Sequence, residues 1–532
     1  MAVKQSVEKK IHIIGAGISG LSAAMTFARA GISCNLISVK PSERAQSIMA
    51  EGGINGALNT MGEQDTTQAH FFDTMKAGLY IADEEAVTEL TENAPKIIKM
   101  LDEIGVPFHK ENGVLQQRNF GGQKNKRTAY AKSSTGKCIM SALIQEIRKY
   151  EAQDIVCRYN RHEFVTLLLD EKKRCVGVKI YDLYNGNEEN LYGIVIMATG
   201  GMHGLFPKIT TGTTDNNSCA VARVFSQGMQ LGNLEMIQYH PTTIGIAGKR
   251  CLVSEAARGE GARLFVEKEG KPWYFMEEKF PELGNLMPRD VVSREIFFCV
   301  NSSECGDQVY LDMRDIPKAL VEKKLSDLYA EVKHYIGINP QKNPIPIAPA
   351  IHYFMGGIKV NKNHQTNIEG VFAIGECCCQ YHGANRLGGN SLLGAAYSGV
   401  VAAQYIKNHL EDFDFEGYSE YENLETLEEL TKEVRPRVAE SIGNILTESL
   451  GIIRNQQSME KAIQELEMFA KNQNLNKREQ ERIILGKAVL ESAIFRKESR
   501  GAHYREDYPK TDENLQKMTI TSFKEEVEIS YV

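Results

Sequence analysis

Arg386 lies in the run Tyr-His-Gly-Ala-Asn-Arg-Leu-Gly-Gly-Asn-Ser-Leu-Leu-Gly, residues 381–394. An apolar, strand-like run (370–376) precedes it and a helix-like run (392–405) follows. Where a strand hands over to a helix, unpaired backbone N–H groups and the helix dipole favour an anion or a cofactor. A guanidinium there can clasp a carboxylate with two parallel hydrogen bonds. A second such junction stands near the start. Residues 11–14 are a short apolar strand pattern, Gly15-Ala16-Gly17-Ile18-Ser19-Gly20 follows, then a helix of small and apolar residues (21–30) and a second strand (34–39). That context is what a dinucleotide fingerprint requires, because its glycines let a pyrophosphate reach the helix N-terminus. One position departs from the pattern. An Asp or Glu should end the second strand to hold the ribose hydroxyls, and Ser38 and Lys40 stand there instead.

The elements that must position these groups follow from the periodicity. Residues 46–57 form a glycine-rich loop whose small side chains let a flat ring lie against backbone. Residues 65–75 and 84–101 carry apolar residues at helical spacing, and Thr135-Gly136 opens a further helix. Strands at 155–159, 164–169 and 175–181 are expected to form a meander closed by the apolar strand 194–197, which ends in Ala198-Thr199-Gly200-Gly201 and returns the chain to the cofactor. From 232 to about 346 the alternation turns irregular and polar clusters appear: Gln238-Tyr239-His240-Pro241-Thr242, the segment 254–261, and Pro288-Arg289-Asp290. After about 411 the composition is rich in Glu, Lys, Leu and Ala with helical period to about residue 500, which predicts a helical domain.

Composition bounds the function. A chain of 532 residues makes roughly two to four domains. A hydrophobic share of 42% and a charged share of 25% are those of a soluble globular protein. A formal charge of -7 without a Lys/Arg block argues against nucleic-acid binding. The eleven cysteines include no C-x-x-C pair, so no zinc or ferredoxin-type cluster is expected, and free thiols fit a reducing cytoplasm. The polar start, residues 1–10, predicts no signal peptide, and no apolar run is long enough to span a bilayer.

Taken in order, GAGISG, AEGGING, RNFGGQ with RTAYA, QYHPT, SEAARGEG, PRDVVSRE, IHYFMGG and GANRLGGNSLL resemble the flavoprotein subunits of succinate dehydrogenase and fumarate reductase, over about residues 10–510. The resemblance implies an α/β fold with a Rossmann-like FAD-binding domain in two parts (1–235 and 347–411), an inserted α+β capping domain (236–346), a C-terminal helical domain (412–510) and a tail (511–532). It implies FAD contacts from Gly15, Ala16, Gly17, Gly20, Ser38, Gln46, Ser47, Glu51, Gly52, Gly53, Thr199, Gly200, Asp215, Glu376, Asn390, Ser391 and Leu392. His240, Ser254, His352 and Arg386 match the residues that bind the substrate carboxylates. Arg289 matches the proton donor, and Glu255 and Arg258 match the relay behind it. Their spacing of three puts both on one helix face if that stretch is helical.

Reduction of fumarate needs a hydride from flavin N5 to one alkene carbon and a proton to the other, with cations fixed around the carboxylates. Two positions depart from the family. The histidine that usually attaches to the flavin stands five residues before the Glu/Gln-Gly-Gly, and here that residue is Gln46, so FAD is expected to be non-covalent and fumarate reduction to be favoured. The carboxylate-site threonine is Ser254, which keeps the hydroxyl. The family further implies an iron–sulfur partner subunit and, through it, a membrane anchor at the inner face of the cell membrane. L-aspartate oxidases share the scaffold, and a reductase of another 2-enoate or a non-catalytic flavin-binding subunit are the other readings.

Overall fold

Ile11–Ile14 is buried at every residue because it is the middle of a five-stranded parallel sheet. The computed structural model describes residues 11–132, 134–413 and 426–532; the polar start (1–10) and the first part of the expected helical region lie outside them. The sheet order is Val371–Ala373, Ile194–Met197, Ile11–Ile14, Cys34–Ser38, Val156–Asn160, every pair parallel. A parallel sheet is covered on both faces, which is why these strands read as unbroken apolar runs. Helix Ile18–Arg29 lies between the sheet and the long helix Asn390–Asn408, and the Cβ of any residue at Gly20 would stand 2.0 Å from the Gly15 carbonyl oxygen.

Two expectations are corrected. The strand at 156–160 does not join a meander; it pairs in parallel with Cys34–Ser38 at the edge of the main sheet. Ile194–Met197 likewise belongs to that sheet, beside Ile11–Ile14. The antiparallel three-stranded sheet consists of His162–Leu169, Cys175–Asp182 and Glu188–Tyr192, the last of which the periodicity left unread.

A separate six-stranded antiparallel sheet runs in the order Lys249–Leu252, Ile237–Ile246, Ile345–Phe354, Cys305–Asp312, Arg263–Lys268, Lys271–Trp273. It has its own core, with Phe275, Val292, Ile296, Val309, Leu311 and Ile345, and helix Arg289–Val300 packs on it. Two of its paired strands, Ile237–Ile246 and Ile345–Phe354, carry the chain between this sheet and the cofactor side. Gly232 and Pro346, at the two junctions, both lie inside strands.

The C-terminal helices Pro436–Ser449, Gln456–Asn472 and Lys477–Phe495 share one apolar core with Val195, Met197, Phe206 and Phe225 rather than forming a core of their own. The last α-helix ends at Phe495, and a 3₁₀ turn, Glu513–Leu515, leads to a hairpin, Thr519–Phe523 and Val527–Tyr531, whose first strand pairs with Leu231–Gly232. Among the described residues no helix is long and apolar enough to cross a membrane.

Candidate active site

The parallel strands end at Ile14, Ser38 and Met197, and a cavity of about 320 Å³ opens beyond them. That is where open α/β sheets bind ligands. Its wall includes Gly15, Ala16, Gly17, Ser38, Gln46, Ser47, Glu51, Gly52, Gly53, Thr199, Gly200, Asp215, Glu376, Ser391 and Leu392. The same wall includes His240, Ser254, Glu255, Arg289, His352 and Arg386. Three of the expected residues stand back from it. Gly20 sets the approach of helix to turn. Asn390, fully buried, bonds Asn55, His70 and Thr74. Arg258 lies behind Glu255.

The cofactor side is built by close backbone approach. Gly15 has φ +122°, and a Cβ there would stand 2.1 Å from the Ala198 carbonyl oxygen. Gly17 caps helix Ile18–Arg29, whose first turn holds no acidic side chain to oppose an anion at the helix N-terminus. The Ser38 hydroxyl is buried with no hydrogen-bond partner, as a ribose-binding group would leave it. These features fit FAD. Gln46 opens a short 3₁₀ turn, Gln46–Met49, and its Oε1 accepts a hydrogen bond from the Thr213 N–H at 2.6 Å. The loop 46–57 is thus a 3₁₀ turn followed by a short strand, Ile54–Asn55, and not a plain loop.

The polar groups come from four places. His240 and His352 sit on the paired strands Ile237–Ile246 and Ile345–Phe354, with ring centroids 5.1 Å apart; the ladder shifts register between His240 and Thr243, which re-aims the histidine. The His240 Nδ1 is occupied by Thr242, and its Nε2 is buried without a partner. His352 Nδ1 is held by the Thr211 hydroxyl at 2.8 Å. Glu255 caps the short helix Ala256–Gly259, so Glu255 and Arg258 do share one turn. Arg289 opens helix Arg289–Val300 and donates from Nε (2.9 Å) and Nη2 (2.7 Å) to Glu255 Oε2. Arg258 approaches Glu255 Oε1 at 3.4 Å, and its Nη1 donates to the Asn285 carbonyl. Arg386 stacks over the Tyr353 ring at 4.4 Å, with Nε buried and unpartnered.

Charge follows from this packing. Burial alone would raise the Glu255 carboxyl; Arg289 and Arg258 outweigh it and hold it at about 2. Burial, then Arg289, brings Arg386 down to about 9. His240 and His352 are pushed well below the ordinary histidine range by burial and by the arginine charges, Arg289 first. Burial drives the Glu51 carboxyl well above its usual range, and the Ser254 hydroxyl bonds it. The result is a buried site with three arginines around one ionised carboxylate, short of negative charge, which an incoming dianion would supply.

Two further residues belong to this arrangement and are not singled out by sequence. Gln238 Oε1 accepts from Arg289 Nη1 (3.1 Å) and Arg386 Nη2 (3.0 Å), spacing the two cations. Its position two residues before His240 on a strand is the signal that could have found it. Thr211 carries no such signal, because a loop threonine beside other threonines reads as a turn.

The match to known proteins agrees with this geometry. A family described as an FAD binding domain covers residues 11–392, and one described as the fumarate reductase flavoprotein C-terminal region covers 439–532. The protein is therefore an FAD-binding oxidoreductase. The succinate dehydrogenase flavoprotein subunit of Bacillus subtilis is 38% identical, over 95% of this chain and 92% of its own length. A quinol fumarate reductase of E. coli superposes with a TM-score of 0.87 at 27% identity, covering 99% of this chain and 96% of that one. The L-aspartate oxidase of Pyrococcus furiosus is 31% identical over 96% of this chain and 98% of its own length. The chain belongs to the succinate dehydrogenase and fumarate reductase flavoprotein family, FAD-dependent oxidoreductases acting on CH–CH bonds.

Proposed function

We propose that this chain interconverts fumarate and succinate, chiefly in the direction of fumarate reduction, with non-covalent FAD. The observation that carries the reading is the surplus of buried positive charge at one wall of the cofactor cavity, with Arg289 bound through two nitrogens to Glu255. His240, Ser254, His352 and Arg386 hold the two carboxylates. The flat dianion is then fixed, and the positive groups favour the charge that builds beside the protonated carbon.

Bound FAD supplies the hydride. Arg289 supplies the proton from Nη1, whose other hydrogen is engaged by Gln238. An arginine is a poor acid, so its proton must be replaced at once. Once Arg289 has lost its charge, the main force holding Glu255 ionised is gone and burial raises that carboxyl. Glu255 can then return a proton to the neutral guanidine of Arg289 as its hydrogens shift from the Nη2 side to Nη1, with Arg258 behind it. Gln46 cannot form the flavin bond that a histidine would, and its amide is engaged by Thr213. Electrons reach the flavin from an iron–sulfur partner, which joins the chain to a membrane anchor at the cytoplasmic face.

A second reading, L-aspartate oxidase, is favoured by the length-wide match to the Pyrococcus furiosus enzyme. One set of assays on the FAD-loaded protein separates them: fumarate with reduced dye, succinate with an oxidising dye, and L-aspartate with peroxide detection. Fumarate reduction faster than succinate oxidation supports the proposal. Aspartate-dependent peroxide without fumarate turnover overturns it. Acid precipitation should leave all yellow colour in the supernatant, and flavin retained in the pellet would refute non-covalent binding.

A further inference from the structure

His203, in the 3₁₀ turn His203–Leu205 just after Gly200-Gly201, is fully buried and lies outside the proposed catalytic set. Its Nε2 stands 3.2 Å from Glu376 Oε1, and Glu376 lines the cofactor cavity with its side chain 15% exposed. The same Oε1 accepts the Phe354 N–H at 3.1 Å. Both contacts fall on one carboxylate oxygen, which leaves the other for the cavity.

The two sides of the ring decide where its proton sits. Nδ1 is 2.7 Å from the Thr210 hydroxyl. That hydroxyl already accepts the Gly212 N–H at 3.0 Å, and the competing acceptor for its own hydrogen, the Ile351 carbonyl, is farther at 3.3 Å. Nε2 faces a carboxylate oxygen that can only accept, so the ring hydrogen is placed on Nε2, toward Glu376, and the Thr210 O–H turns to Nδ1. Nε2 is buried and makes no well-formed hydrogen bond, so its effect on Glu376 is electrostatic. The ring cannot swing away. It stands edge-on to Phe354 at 5.1 Å, and a Cβ at Gly212 would lie 2.2 Å from it.

We propose that His203 is a positioning residue for the flavin: its Nε2–H, set 3.2 Å from Glu376 at the cavity wall, offsets the carboxylate charge felt by bound FAD. A carboxylate near a flavin disfavours the addition of electrons, and an N–H aimed at that carboxylate weakens the effect. FAD is common to the fumarate and aspartate readings, so the inference stands apart from the choice of substrate.

The test is a redox titration of the protein-bound flavin at pH 8 in the FAD-loaded protein. His203→Phe keeps a buried ring and loses both nitrogens, so it should lower the midpoint potential. His203→Gln, which restores an N–H, should recover at least half of the shift. In a Glu376→Gln background His203→Phe should have no further effect, because no charge remains to be offset; a purely structural role would act in both backgrounds. An unchanged potential in His203→Phe, or an equal drop with and without Glu376, overturns the proposal. If His203→Phe does not fold, Thr210→Val carries the same test. It removes the hydroxyl that supports the tautomer, and it should give a smaller drop that vanishes with Glu376→Gln. A potential equal to wild type in Thr210→Val then refutes it.

Discussion

Two of the regions that bury arginines use them differently. Near the C-terminus, Arg496 donates from Nε to Glu235 (2.7 Å) and from Nη1 to Glu498 (2.8 Å), while Arg500 donates from Nε and Nη2 to the two oxygens of Glu498 (2.8 and 3.1 Å). Arg505 is paired with Asp507 at 2.8 Å through Nε. At the cavity, Arg289 and Arg386, with Arg258 behind, surround the carboxylate Glu255, and buried nitrogens of Arg258 and Arg386 have no hydrogen-bond partner. The two environments act in opposite directions. Burial works to lower Arg496, yet Glu235 and its other partners raise it overall, whereas burial and the Arg289 charge bring Arg386 down to about 9. Arg454, with one unpartnered Nη2, is the exception in the first region. A matched cluster locks chain to chain; an unmatched one is a site waiting for an anion.

The largest effect should come from breaking the matched cluster. Glu498→Ala leaves Arg500 without its carboxylate and Arg496 with one of two, and removing one partner of a buried pair costs about 3–5 kcal/mol. Thermal or chemical denaturation should show that loss, with dicarboxylate affinity in the surviving folded protein unchanged. A variant of normal stability and weakened malonate binding would erase the distinction between the regions.

Next comes the unmatched cluster. Arg289→Lys keeps the charge and shortens the reach to Glu255. We expect kcat for fumarate to fall about 10²-fold or more, the scale for a lost general acid, with malonate binding largely kept. Near wild-type turnover would remove Arg289 as the acid. Arg386→Lys loses the planar fork, so KM for fumarate should rise about tenfold, the value of one charge-assisted hydrogen bond, with a smaller loss of kcat. A kcat loss larger than the KM change would place Arg386 in the transition state instead.

Much of this arrangement is legible in sequence, because glycines and arginines at strand–helix junctions have few other uses. Gly15 to Ser19, Ser38, Glu51 to Gly53, Thr199 and Arg386 all line one cavity. What the sequence withholds is pairing. Residues 156–160 look like any strand, and only the fold decides that they continue a parallel sheet instead of starting a meander. The hairpin at 519–531 finds its partner, Leu231–Gly232, almost three hundred residues upstream, beyond any local signal. Gln238 and His203 escape for a related reason: a glutamine and a histidine among apolar residues gain meaning only from the arginines and the carboxylate that the fold sets beside them.

The smallest effect sharpens the comparison by proton count. In the free site His240 and His352 are neutral at pH 7, held well below the ordinary range by burial and by the arginine charges, Arg289 first. His503 in the matched cluster is pushed the same way by burial, Arg454 and Arg496. A bound dianion opposes the arginine charges only in the cavity, so only there should it raise the histidine pKa values. A group whose pKa rises on binding takes up protons as the ligand binds, and affinity therefore grows as pH falls. Malonate affinity should strengthen by a few-fold per pH unit between pH 8.5 and 6.5, below the tenfold limit that one full proton would give. His352→Gln should flatten that slope, because it removes a proton acceptor beside the anion. His503→Gln should leave the slope intact, because His503 lies among charges already matched. A slope that is flat in the wild type would mean that the arginines alone meet the dianion and that both histidines stay neutral throughout.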